Sequence, residues 1–176
     1  IFRRANIFTS ENEYPMIVVG EWEIILRLVL AVLFGAVIGY NRSRHHKPAG
    51  LRTMSLISLG SAAFTLIGIE SVIQLSQLQT GVESLTSGVS STINLDSSRI
   101  IAGIVGGVGF LGAGAIIQSR GRVQGMTSAA SIWVTSTIGV SSGLGLYLLA
   151  TSITFIAFIV LILYCFFGHD TEEDEQ

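Results

Sequence analysis

Apolar residues run in long blocks along this chain, and short stretches between the blocks hold nearly all the charge. Five blocks are long enough to predict helices that cross a bilayer, each near the roughly 20 residues a span needs. They cover residues 22–40 (WEIILRLVLAVLFGAVIGY), about 51–74, 99–118, about 123–141, and 146–167 (LYLLATSITFIAFIVLILYCFF). The fourth is rich in Ser and Thr, and the fifth is the most lipid-like. The turn signal SSGLG at 141–145 predicts that the last two form an antiparallel hairpin. Residues 75–98 are rich in Ser, Thr and Gln and read as an extramembrane loop. The predicted fold is all-α, a polytopic transmembrane helix bundle of about five spans.

Composition agrees with the pattern. Of the 176 residues 49% are hydrophobic and 12% charged, about half the charged fraction of a soluble domain. Between Arg122 and His169 there is no Asp, Glu, Lys or Arg. The positions of the cations predict orientation, because short cytoplasmic loops carry the excess of Lys and Arg. Arg42, Arg44, Lys47 and Arg52 follow the first span, and Arg120 and Arg122 follow the third. Both loops then face the cytoplasm, with the N-terminus outside and the acidic tail DTEEDEQ inside. Residues 1–21 read as an extracytoplasmic segment or leader remnant, 22–168 as the membrane domain, and 169–176 as an acidic C-terminal tail.

The stretch GIVGGVGFLGAGAII (103–117) contains G-x-G-x-x-G at Gly107, Gly109 and Gly112. A dinucleotide site needs a preceding strand, a helix opening at the motif and an acidic residue about 20 positions on. The next acidic residue here is Asp170. Small residues at helical spacing instead let backbones approach inside a bilayer. Gly103, Gly107 and Gly114 form one such face and Ala102, Gly106, Gly109 and Ala113 an adjacent stripe, so helix packing is expected for these glycines and for Gly112.

With those residues in view, the chain resembles the MgtC/SapB family of bacterial membrane proteins. The resemblance rests on LRLVLAVLFGAVIG (26–39), RHHKPAGLRT (44–53), DSSRI with GGVGFLGAGAII (96–117), and VQGMTSAASIW (123–133). It covers residues 24 to 145, and the residues matching the family's motifs are Arg27, Arg42, Lys47, Arg52, Asp96, Arg99 and Trp133. Two positions depart from it: Asn41 stands where the family usually has an acid, and Gly103 where a glutamine is common. The length suits the shorter SapB-like form without the C-terminal soluble domain. The resemblance implies a bacterial inner (plasma) membrane protein linked to low-magnesium adaptation; a thylakoid or other energy-transducing membrane also fits.

The intramembrane charges carry the remaining chemistry. A charge within a span costs about 2.5–3.5 kcal/mol at the centre, so partners are expected. Arg27 in the first span and Glu70 in the second lie at similar depth near the outer face, with Asp96 and Arg99 opening the third. An Arg27–Glu70 pair, or an ion-handling site completed by Asp96, follows. Glu70 and Asp96 are weak metal candidates, too few for a dedicated Mg²⁺ cage; Mg²⁺ stays open as a cofactor, and no other is implied. The basic loop of Arg42, Arg44, Lys47 and Arg52 is a topology signal, and also a surface for anionic lipid headgroups. His45 and His46 read as solvated loop. Ser128, Ser131 and Thr135 share one helical face, either hydrogen-bonded to neighbouring helices or lining a water path.

No nucleophile–base pair or phosphate loop points to an enzyme, and nothing points to nucleic acid. Three functions remain: a regulatory membrane protein acting through other membrane proteins or copies of itself, a cation transporter or channel subunit, or an accessory subunit of a larger bioenergetic complex.

Overall fold

The computed structural model describes residues 20–83, 97–119 and 122–167. Five helices make up nearly all of it: α1 (Glu21–Arg44), α2 (Leu51–Glu83), α3 (Ser97–Gly114), α4 (Met126–Gly143) and α5 (Tyr147–Phe167). A short antiparallel hairpin of β1 (Ile117–Ser119) and β2 (Arg122–Gln124) joins α3 to α4, with Ile117 opposite Gln124.

Each predicted span overlaps one helix and differs from it mainly at the ends: α1 runs on to Arg44, and the start of the fourth span lies in β2, before α4 begins at Met126. Helix α2 continues past residue 74 to Glu83. Its end is polar, which closes an apolar block, but it holds no proline to stop the helix. Helix α3 stops at Gly114 rather than running to 118. The chain then turns through the hairpin to Gly125, which caps α4 with φ 88°. A side chain at Gly125 would stand 2.0 Å from the Ala115 carbonyl oxygen, so only glycine fits this reversal. The predicted turn between α4 and α5 is present: the Leu146 amide donates to Ser141 at 2.9 Å and the Gly145 amide to Ser142 at 3.0 Å. Gly145 takes the left-handed conformation there, with φ 76°.

Polarity is inverted relative to a water-soluble protein. Arg42, Ser58, Thr65, Thr135 and Ser142 are buried, whereas Trp22, Phe64, Phe110, Leu148 and Phe155 are exposed. Lipid imposes this arrangement, since apolar side chains need no shelter from it and hydrogen-bonding groups do. Helices α1 and α2 are long and apolar enough to cross a membrane. Shorter apolar stretches occupy Ser98–Gly114 and Tyr147–Leu163.

Helix α2 packs against both α1 and α4, and glycines set the spacing. A Cβ added at Gly35 would stand 2.8 Å from the Met54 carbonyl oxygen, and one at Gly39 would stand 2.6 Å from Leu51 Cα. On α4, a Cβ at Gly143 would stand 2.8 Å from the Ala62 carbonyl oxygen. Gly35-x-x-x-Gly39 and Gly139-x-x-x-Gly143 therefore hold these backbones together, where the absence of side chains allows close van der Waals contact. A small apolar cluster of Met54, Ile104, Val108 and Ile132 joins α3 to this core.

Candidate functional site

The polar interior centres on two arginines of α1. Arg42 lies in the last helical turn, and its position depends on how that helix ends. His46 adopts φ 50°, with its amide donating to Ser43 and the Lys47 amide to Arg42. This left-handed step turns the chain back so that the Ala49 carbonyl accepts a hydrogen bond from Arg42 Nε at 2.9 Å. The rest of the guanidinium reaches α4: Nη1 donates to Ser131 Oγ at 2.9 Å and Nη2 to Ser128 Oγ. Ser131 Oγ in turn donates to the Thr127 carbonyl at 2.7 Å. Arg42 is 3% exposed. Among the described residues it has no carboxylate partner. Neutral oxygens arranged around a planar fork hold this cation, a geometry that lysine does not match.

Arg27, fifteen positions earlier on α1, is also buried. Its Nη1 donates to the Gly143 carbonyl at the end of α4 at 2.8 Å, and its Nη2 pairs with Glu23 one turn back on α1. Gly145 leaves room for the guanidinium, since a Cβ there would stand 2.8 Å from Nη2. The expected Arg27–Glu70 pair is replaced by Arg27–Glu23, because four residues apart on one helix the two side chains meet without crossing the bundle. Glu70 is exposed on α2 and Arg99 is exposed in the first turn of α3. Asp96 lies outside the described residues, and among those described Arg27 is paired with Glu23 and not with Glu70. Among the described residues no group of three His, Cys, Asp or Glu converges.

The basic loop divides. Arg42 turns inward, while Arg44, Lys47 and Arg52 remain exposed. Arg44 lies over the Tyr40 ring at 5.8 Å. The serine face of α4 is internal: Ser128 and Ser131 hold Arg42, and Ser136 Oγ lies 2.9 Å from Ser61 Oγ of α2. Trp133 points outward, half exposed.

The α3 glycines correct the packing expectation within one chain. A Cβ at Gly103, Gly106, Gly107, Gly109 or Gly114 would meet nothing within 4 Å; only Gly112 packs, against Ala129 at 3.7 Å. The inward face of α3 is instead Ile100, Ile104, Val108 and Gly112, spaced four apart. Gly103, Gly107 and Gly114 line an open, mostly apolar groove of about 1140 Å³ between α2 and α3. Its α2 wall includes Leu56, Gly60 and Phe64, and Arg52 and Thr53 stand at one end.

Residues 28–168 match the MgtC family. The chain belongs to the MgtC family. It is 40% identical over 81% of its length to Protein SrpB of Synechococcus elongatus, covering 75% of that protein. It is 41% identical over 71% of its length to "Putative magnesium transporter YhiD" of Escherichia coli, and 37% identical over 79% to Protein MgtC of Salmonella typhimurium. It spans 53% of that YhiD and 51% of that MgtC. No solved structure matches. MgtC-family proteins are bacterial inner-membrane proteins, and the family is linked to magnesium homeostasis.

Sequence reasoning named Arg27 and Arg42 but missed their partners Glu23, Gly143 and Ala49. The Glu23–Arg27 spacing was visible, as were the two G-x-x-x-G steps in α1 and α4. Pro48-Ala49-Gly50 signals a turn into α2 that makes the arginines converge, but not the specific bond from Arg42 to the Ala49 carbonyl.

Proposed function

We propose that this chain is a five-span, non-enzymatic membrane protein that serves magnesium homeostasis by docking other membrane proteins. In this reading its N-terminus is outside and the end carrying Arg44, Lys47 and Arg52 is cytoplasmic. The observation that carries it is the outward face of α3, where Gly106 and Gly109 have open space above them and Ala102 and Ala113 are exposed alongside. The buried polar side chains, by contrast, are largely engaged in hydrogen bonds within the bundle. Small residues on a lipid-facing helix let a second helix approach closely.

The test is purification from native membranes in mild detergent followed by native mass spectrometry. The expected result is a defined complex that Gly106→Leu dissociates without lowering the melting temperature of the chain. A fixed ratio to a larger complex assigns an accessory role. Cysteine labelling checks the orientation: a cysteine at residue 47 should be protected in intact cells and one at residue 70 reactive.

Transport is the second reading, favoured by the name of the E. coli relative. It requires the purified chain alone to carry Mg²⁺ into vesicles, with flux reduced by Glu70→Gln. Such flux overturns the docking reading.

A further inference from the structure

We propose that the groove between α2 and α3 is a binding site for one anionic glycerophospholipid of the leaflet at the basic end of the bundle. An acyl chain lies along the groove and the phosphate is held at Arg52. The site rests on the membrane placement proposed above, but uses a face of α3 distinct from the Gly106–Gly109 stripe.

Three properties of the groove point to this occupant. Its walls are apolar along the helices, and its floor is low because Gly60, Gly103 and Gly107 carry no side chains. Its length fits one leaflet: Arg52 and Thr53 mark one end and Phe64 the other on α2. That stretch rises roughly 18 Å, against about half of a hydrocarbon core of about 30 Å. Finally, polarity is concentrated at one end. Arg52 is exposed there and has no carboxylate partner among the described residues. No acidic residue occurs in the sequence between Glu23 and Glu70.

The local backbone adds to the attraction. Arg52 and Thr53 belong to the first turn of α2, where amides lack intrahelical acceptors and the helix dipole is positive. The Leu51 amide donates to Ser43 Oγ and the Met54 amide to the Gly50 carbonyl, which leaves the amides of Arg52 and Thr53 for a phosphate. A second copy of the chain suits this groove less well. Two copies share one orientation in a membrane, so their basic ends would sit side by side with like charges opposed.

The experiment is native mass spectrometry of the full chain in detergent, titrated with phosphatidylglycerol or with phosphatidylcholine of the same acyl chains. The expected result is one phosphatidylglycerol retained in preference to phosphatidylcholine. Arg52→Gln should reduce that preference about tenfold. Arg44→Gln removes the same charge from the same end but off the groove, and should change it less than about twofold. Gly107→Leu should reduce retention of both lipids, because the side chain fills the groove while meeting nothing in the fold.

Equal retention of the two lipids, or an unchanged preference in Arg52→Gln, overturns the site. So does a dimer that Gly107→Leu converts to monomer with lipid retention intact, which gives the groove to a second copy. A chain that stays in solution without detergent overturns the membrane placement itself, and this site with it.

Discussion

Gly139 of α4 lies against Ser58 of α2 so closely that a Cβ on it would stand 2.3 Å from the Ser58 carbonyl oxygen and 2.8 Å from Ser61 Cβ. Backbone meets backbone there, so neither side can yield by changing a rotamer. Gly139→Ala is expected to cost about 2–3 kcal/mol and to lower the melting temperature in detergent. Gly106→Ala, with open space at its Cβ, should be neutral or slightly stabilising because alanine favours helix. Equal melting temperatures for the two variants would show that α2 and α4 are not in this contact.

Arg42 discriminates between charge and shape. Arg42→Lys keeps the cation but not the fork that reaches Ala49, Ser128 and Ser131 together. A loss of about 3 kcal/mol is expected, since a buried charge is then left with unmet partners. Thermal unfolding in detergent measures it, and wild-type stability in the lysine variant would refute the clamp.

The Arg27 contacts should separate by burial. Glu23 is 41% exposed in its side chain, so Glu23→Gln should cost at most about 0.5 kcal/mol. Arg27→Gln also loses the buried bond to the Gly143 carbonyl and should cost about 2 kcal/mol. Glu70→Gln should leave stability unchanged. A loss at Glu70 equal to that at Arg27 would restore the pairing of those two residues.

His46 holds the left-handed position that ends α1. Glycine adopts that conformation without a Cβ penalty. His46→Gly is therefore expected to raise stability by about 0.5–1 kcal/mol, the unfolded chain's greater freedom offsetting part of the gain. A lower melting temperature in this variant would indicate that the His46 side chain itself contributes.

The helices were legible because a bilayer demands long apolar blocks, and each block lies within or overlaps one helix. Helix ends were less so, since polarity closes a block at residue 74 while the backbone continues to Glu83. The glycines were the instructive case. A dense cluster in α3 drew the packing assignment, yet the close contacts come from two sparser pairs, Gly35 with Gly39 and Gly139 with Gly143. Spacing says that a backbone can be approached; which helix approaches it depends on how the whole bundle closes. Arg27 was recognised as needing a partner, but periodicity could not choose between Glu23 on its own helix and Glu70 across the bundle. Pro48 and Gly50 mark the turn after α1 in residue type, but not that it brings the Ala49 carbonyl onto Arg42.

The two arginine contacts have a mechanical consequence. Arg27 reaches the last residue of α4 and Arg42 reaches its first turns, and the two lie roughly 22 Å apart along α1. Bolted at two points so far apart, α1 and α4 can neither slide past nor swivel about one another without shearing a hydrogen bond. They form a single rigid girder. Helix α3 is set against this girder by apolar contact instead, through Ile104, Val108 and Gly112, and among the described residues no buried cation ties it there.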